Sequence, residues 1–283
     1  MHTILFTLII LLCSALMSCE EGSFLEEKPL KVHFLDVGQG LSVLFEYEGR
    51  FALWDTGPDS IGFVDTLKHY GVDSLDWVVL SHWHRDHVGG FLEFPSAIKN
   101  RELFVKKVFF TNDTAYGFVS DSVFSILDEF GLNNDTIYRG DSLIFASGWR
   151  FQILWPSKGI NLGGNASSGV LFIRDSLNKM LLMSDLESRE EESLLSLYPF
   201  LKTDLLQVGH HGSLNSSSIK FLSQILPSEA IISVGEGNSY HHPAQGTLSK
   251  LNYVVGDSSF VHRTDLEGTL IWLWHKNIGF WMP

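Results

Sequence analysis

The segment Ser81-His82-Trp83-His84-Arg85-Asp86-His87-Val88-Gly89-Gly90 places three histidines and an aspartate within six residues. It directly follows the apolar run Trp77-Val78-Val79-Leu80, which reads as a buried strand. Imidazole and carboxylate are the ligands that a borderline cation such as zinc prefers. A strand ending in such a cluster presents the side chains together at one rim, so the fold must supply a sheet edge able to hold metal. The Gly89-Gly90 pair allows the backbone to turn tightly beside that rim and start the next helix. A lone surface histidine is usually just solvated, but four ligand-type side chains in the pattern HxHxDH after a strand point to metal chemistry.

The chain is 283 residues long, enough for one large domain or two small ones. Hydrophobic residues make up 45%, which supports a sizeable core. With 33 acidic against 20 basic side chains the net charge is -13, against the basic surface of a general nucleic-acid binder. A local basic groove remains compatible with that balance.

Residues 4–12 are almost wholly apolar, and Leu16-Met17-Ser18-Cys19 follows. A short hydrophobic segment with a small residue before cysteine resembles a bacterial lipoprotein signal, although its start carries only His2 and neither Lys nor Arg. Residues 1–18 are then the signal peptide and Cys19 the lipidated residue, anchoring the protein to a membrane. An ordinary signal peptide or short anchor is the alternative. Residues 19–29 read as an acidic tether, similar to the export signals of Bacteroidetes surface lipoproteins. The expected location is the cell envelope, at the outer membrane or the outer face of the cytoplasmic membrane. Cys13 falls in the signal, leaving the domain at 30–283 no cysteine for a disulfide or a metal ligand.

Strands are expected over residues 31–37, 41–47, 51–54, 77–80, 105–110, 149–155, 169–174, 180–183, 204–208, 230–234, 259–261 and 269–274. Glu48-Gly49 marks a hairpin turn. Helices are expected over 62–70, 119–130, 187–198, 216–225 and 245–252. Strand-rich halves with interspersed helices suggest two sheets packed face to face with helices outside.

The cluster in this context resembles the metallo-β-lactamase superfamily of hydrolases, from about residue 30 to the C-terminus. That resemblance implies an α/β fold, a four-layer αββα sandwich with metals at one edge between the sheets. It implies two divalent metal ions, zinc or alternatively manganese, held by His82, His84, Asp86, His87, Asp185 and His211. Asp185, in the string LLMSDLE, is the implied bridging carboxylate, with Ser184 where the family usually has glycine. Capping the helix that starts near Glu187 is its competing role. In Val208-Gly209-His210-His211-Gly212-Ser213 the family's His-Gly pairing favours His211 as ligand, with His210 facing substrate or supporting a ligand; the reverse assignment stays open. Asn165 stands where the family often has a third histidine for the first metal. The first metal would then rest on His82, His84 and Asp185, with water completing it.

Asp36 in FLDVGQG and Asp55 in WDTG are expected to orient metal-bound rings, although either carboxylate could equally cap a turn. His242 in Tyr240-His241-His242-Pro243 is a candidate proton donor or substrate ligand, or a solvated loop histidine. The combined strings FLDVGQG, WDTG, SHWHRDHVGG, SDLE and VGHHGS, with His242-Pro243, resemble the C-terminal hydrolase domain of ComEC-type competence channels and its free-standing relatives. Leu41 departs from the Asp common after GQG in that family, and the channel's membrane segments are absent from this sequence.

The implied chemistry is hydrolysis of a phosphoester, DNA among the candidates, by a phosphodiesterase or nuclease. Two cations lower the pKa of a shared water and supply hydroxide near neutral pH. Asp86 helps hold that water, and His242 or His210 assists the leaving group. The alternatives are a hydrolase of a small phosphoester, such as phosphorylcholine on envelope polymers, and a non-catalytic envelope or competence scaffold. The motif set argues against a β-lactamase role, and no protein partner is inferable from these residues.

Overall fold

The computed structural model describes residues 28–59, 61–276 and 278–283. The apolar leader, Cys19 and the tether up to residue 27 lie outside the described residues. Among the described residues, no helix is long and apolar enough to cross a membrane.

The described residues form seventeen strands: β1 (Leu30–Phe34), β2 (Val43–Tyr47), β3 (Arg50–Trp54), β4 (Ser74–Leu75), β5 (Val78–Leu80), β6 (Phe104–Val105), β7 (Val108–Thr111), β8 (Asn134–Ile137), β9 (Ser142–Phe145), β10 (Trp149–Trp155), β11 (Val170–Arg174), β12 (Lys179–Leu182), β13 (Leu205–Gln207), β14 (Glu229–Ile232), β15 (Val261–Arg263), β16 (Leu270–His275) and β17 (Gly279–Trp281). The first large sheet has the order β17-β16-β1-β2-β3-β5-β7-β8, and the second β15-β14-β13-β12-β11-β10-β9. The short pair β4-β6 stands apart. Helices are α1 (Phe63–His69), α2 (Arg85–Val88), α3 (Phe94–Lys99), α4 (Phe118–Glu129), α5 (Ser188–Leu197), α6 (Ile219–Ile225), α7 (Gln245–Val255) and α8 (Thr264–Glu267).

Side-chain alternation explains why the sheets stack. β1 turns Leu30, Val32 and Phe34 inward, and its partner β16 does the same with Leu270, Trp272 and Trp274. These meet Phe145, Phe151, Leu171, Ile173 and Met180 from the second sheet, forming the central core. On the outer face of the first sheet, Val78 and Leu80 pack against Phe63, Phe94 and Val123 of α1, α3 and α4. On the outer face of the second, Val170, Phe172 and Leu206 pack against Leu194, Phe221 and Leu251 of α5, α6 and α7. Three apolar interfaces thus separate four layers, αββα, as the family resemblance implied. Each fully buried large side chain contributes about 1.5–3 kcal/mol, so the ring-rich central interface dominates.

Strand direction places the functional residues. β3, β5, β7 and β8 run parallel, as do β12, β13, β14 and β15. Parallel neighbours deliver their C-terminal ends to one edge, where ligand-binding loops gather. Asp55, Ser81 to His87 and Asp113 follow β3, β5 and β7; Asp185, His210, His211 and Ser233 follow β12, β13 and β14.

Several sequence expectations shift. The strand expected over 105–110 divides into β6 and β7, because Lys106 and Lys107 cross between two separate ladders. The strand expected over 259–261 begins two residues later, after a 3-10 turn at Ser258–Phe260 capped by the Asp257 carboxylate. The Glu48-Gly49 hairpin holds, with φ of 50° and 74° at its two corners. Gly89 and Gly90 serve contact rather than turning. Gly89 has φ -59°, and a Cβ on Gly90 would sit 2.3 Å from the Thr56 carbonyl oxygen.

Candidate metal centre

Two ligand groups share Asp185. Asp86, His87, Asp185 and His211 form one, and His82, His84 and Asp185 the other; within each, one ligand atom per residue lies within 4.8 Å of every other. Asp185 divides its oxygens between them. Oδ1 lies 3.0 Å from His87 Nε2 and 3.5 Å from His211 Nε2, whereas Oδ2 lies 3.8 Å from His82 Nε2. Asp86 Oδ2 approaches His211 Nε2 at 3.3 Å. The cluster is compatible with a binuclear divalent metal site bridged by one carboxylate.

The supporting bonds fix which ring nitrogens face inward. His211 Nδ1 donates to the Ser233 carbonyl at 2.8 Å, and a carbonyl can only accept. His87 Nδ1 donates to Asp55 Oδ2 at 2.8 Å. His82 Nδ1 donates to Ser81 Oγ at 3.1 Å, and Ser81 Oγ passes its own proton to Asp55 Oδ2 at 2.7 Å. The backbone N–H of Ser81 donates to Asp55 Oδ1 at 2.7 Å, so one buried carboxylate orients two rings. In neutral rings all three Nε2 atoms are then lone pairs pointing at Asp185. His87 Nε2 and His211 Nε2 face each other at 3.3 Å, and His82 Nε2 and Asp185 Oδ1 are buried without a hydrogen-bond partner. Acceptors gathered around one buried point call for cations.

Charge tells the same story. Burial opposes a proton on His87, but the Asp185 and Asp55 carboxylates override it and raise its pKa well above the ordinary range. His211 is likewise raised against burial, by Asp185 and Asp86. Burial would push Asp185 up, yet the charges of His87 and His211 hold it well below the carboxylate range. Asp86 follows the same pattern, held down against burial mainly by its His211 hydrogen bond. Burial and the neighbouring His87 charge push His82 well below the usual value. The carboxylates draw positive charge to this point, and a bound cation would displace the ring protons that otherwise supply it.

The histidine cluster opens onto a cleft of about 510 Å³ lined by Gln39, Pro58, Asp59, His84, Arg85, Asp86, Asp185, His210, His211, Tyr240 and His242. His210 stands beside the second group rather than within it. Its Nε2 is 3.8 Å from Asp185 Oδ2, and its Nδ1 meets Glu187 Oε1 at 3.0 Å. Asn165 joins that support, with its amide nitrogen 3.2 Å from Glu187 Oε1 and 3.3 Å from His210 Nδ1. His242 packs edge-on against His210 at 5.5 Å, and burial together with the His210 and His211 charges lowers its pKa. Asp55 is fully buried beneath the rings; burial pushes its pKa up, against His87 and Ser81.

Asp36 does not reach the cluster. Its side chain is exposed, and Oδ1 accepts from the Gly38 N–H at 3.2 Å, capping the turn. Two other residues of that string do reach it: Gln39 lines the cleft, and a Cβ on Gly40 would lie 2.4 Å from the Asp86 carbonyl oxygen. That approach lets the Leu41 N–H donate to the same oxygen at 3.1 Å. Leu41 itself is buried in the central core. Asp185 makes no helix cap; the residue at the cap of α5 is Glu187.

Four supports went unread in the sequence. Ser81 relays Asp55 to His82. Asp113 is fully buried and accepts from Trp83 N at 2.8 Å and Gly164 N at 2.9 Å, fixing the strip that carries His84. Gln207 Oε1 accepts from Met183 N and Ser184 N at 2.9 and 2.8 Å, shaping the loop before Asp185. Glu187 orients His210. Asp113 had a signal, since it follows a strand parallel to β5 and so shares its rim; Gln207 had none.

Ser184 explains a family departure. Its φ is 47°, the region where glycine is at ease. The serine hydroxyl accepts from Trp54 Nε1 at 3.0 Å and donates to the Gly169 carbonyl at 2.9 Å, tying the two sheets together.

The metallo-beta-lactamase superfamily profile matches residues 35–236. The chain is 31% identical over 274 residues to ComE operon protein 3 of Bacillus subtilis, covering 88% of this chain and 34% of that protein. It is 33% identical over 253 residues to competence protein ComA of Neisseria gonorrhoeae, covering 86% of this chain and 32% of that protein. The chain thus spans about a third of the length of these relatives. The fold is shared with the metallo-beta-lactamase fold protein YhfI of Bacillus subtilis, at a TM-score of 0.58 and 16% identity, covering 87% of this chain and 99% of that one. Sequence match, layer order and shared-carboxylate cluster agree: the chain belongs to the metallo-beta-lactamase superfamily.

Proposed function

We propose that this protein is a metal-dependent phosphodiesterase, acting on nucleic-acid-type diesters and held at the cell envelope by lipid on Cys19. The observation that carries the hydrolase reading is Asp185, whose two oxygens divide between two groups of ligands. His82, His84 and Asp185 would hold one cation, and Asp86, His87, Asp185 and His211 the other. Two such cations supply a nucleophile at neutral pH and neutralise developing charge on a phosphoryl group. The relatives include a competence protein of Neisseria gonorrhoeae and a protein named Recombination protein 2 from Haemophilus influenzae, roles that fit a phosphodiester substrate.

The chain's own groups divide the remaining work. Asp55 and Ser81 keep the His82 and His87 rings in register. Arg85, held on Asp59 through Nε at 2.8 Å, sets a cation on one wall of the cleft, where a phosphate oxygen would enter. His242 and His210 line the same cleft, ring against ring, and would be the groups to assist a leaving oxygen. The net charge of -13 disfavours long duplex DNA and favours short or single-stranded substrates.

The test is turnover of bis-p-nitrophenyl phosphate by the purified protein, with zinc or manganese and with chelator. Metal-dependent turnover lost in Asp86→Ala is expected. Full activity in a well-folded Asp86→Ala protein sinks the mechanism, and a protein that binds no metal brings the scaffold reading forward. For the anchor, Cys19→Ala should move the protein from the membrane to the soluble fraction; unchanged membrane retention would refute it.

A further inference from the structure

Tyr240 lines the same cleft as Asp86, Asp185 and His211 and belongs to neither ligand group. It is 66% exposed. One face is covered, since the ring stacks on His242 with centroids 5.8 Å apart and planes 26° from parallel. His242 in turn meets His210 edge-on. The three rings form a ladder leading from solvent to Asp185.

The loop that carries Tyr240 and His242 is braced. Asn238 donates to the carbonyls of Gly235 and His242 at 3.0 and 2.6 Å and accepts from the His242 N–H at 3.0 Å. Gly235 N donates to Gln39 Oε1 at 3.2 Å, joining the loop to the turn that follows β1. A ring covered on one face, open on the other and fixed by its loop is a platform for a second flat group.

We propose that Tyr240 is the stacking platform for a nucleobase attached to the scissile phosphodiester. The inference rests on the phosphodiesterase reading and names the part of the substrate that the centre itself does not touch. An acidic chain gains little from phosphate attraction, and base stacking supplies affinity that does not depend on net charge. A quaternary ammonium group, the other ligand that aromatic rings select, is enclosed by several faces. Here Tyr240 and His242 lie nearly parallel and offer one open face, which suits a flat base.

The test is calorimetric titration of the purified full chain with thymidine 5′-monophosphate, deoxyribose 5-phosphate and phosphocholine. Stacking on one base should make the nucleotide bind at least about tenfold tighter than the base-free sugar phosphate. That margin should persist in Tyr240→Phe and vanish in Tyr240→Ala. It should also survive a rise in salt that weakens both ligands, because stacking carries no charge. No margin in the native protein, a margin unchanged in Tyr240→Ala, or phosphocholine gaining as much from the ring as the nucleotide would each overturn the platform. Diester turnover is followed in parallel. Absent turnover with the base margin intact rejects the phosphodiesterase reading and leaves Tyr240 as a base-stacking ring with no scissile diester beside it.

Discussion

The two sheets contribute to the centre in opposite styles. The first supplies His82, His84, Asp86 and His87 from one six-residue stretch after β5. The second supplies Asp185, His210 and His211 from two loops separated by a helix and a strand. On the first side close approach is achieved by glycine, at Gly40 and Gly90, and only Asp55 among the centre's residues takes a left-handed φ. On the second side non-glycine residues bear the left-handed backbone, with φ of 47° at Ser184, 48° at His210 and 52° at His211. Such residues cost about 1–3 kcal/mol each and persist only where surroundings over-determine them. Gln207, Ser233 and Trp54 provide that determination from other strands. The first side is therefore encoded locally, and the second is imposed by tertiary context.

The sharpest way to join the two sides is to remove what they share. Asp185→Ala should abolish binding at both ligand groups and reduce turnover by about a hundred- to a thousandfold, the range of losing a principal electrostatic group. Metal analysis of the folded variant decides this, and one tightly retained equivalent would show that the groups are independent. Next in size is Asp55→Asn on the first side, which leaves the ligands but weakens their orientation. Metal affinity should fall about 10–100-fold, measured by chelator competition.

Gly90→Ala tests the close approach on the first side. A Cβ 2.3 Å from the Thr56 oxygen forces a backbone shift, expected to cost about 1–3 kcal/mol in denaturant unfolding. The second side has a mirror experiment at Ser184. Ser184→Ala keeps the left-handed strain and strands the buried Trp54 N–H, costing about 1–3 kcal/mol. Ser184→Gly relieves the strain while losing the same bonds, so it should be the more stable of the two. An alanine variant as stable as glycine would show that the second side is not strained.

The smallest effect on the metal centre comes from a site away from it, on the first sheet. The hydrogen bond from His33, aided by Lys31, lowers the Glu46 pKa from 4.5 to about 2 against partial burial. The folded value is the depressed one, so Glu46 contributes stability above about pH 4.5, lost as pH falls toward 2. Glu46→Gln should flatten that part of the stability profile and leave metal content unchanged.

The same contrast governs what the sequence discloses. The contiguous cluster on the first side, with its preceding apolar strand, is readable from spacing alone. Asp185 and the His210-His211 pair needed a family resemblance, because nothing local says that two loops so far apart in sequence share a rim. Asp36 misled, since an acidic residue before a glycine turn looks the same whether it caps that turn or reaches a ring. β8 was missed because Asn134 and Asp135 make a polar edge strand with little alternation. Gln207 reads as one more residue of an apolar strand, and its role emerges only when Ser184 lies beside it.

One pairing has a consequence for how the molecule is made. β1 is hydrogen-bonded to β16 along its whole length, Leu30 opposite Trp274 and Phe34 opposite Leu270. More than two hundred residues are synthesised between these neighbours, so β1 waits as an open edge while both ligand loops emerge. Until Trp272 and Trp274 arrive, the central core lacks two of its largest rings. The histidine cluster is translated early, but its scaffold closes only when β16 docks along β1.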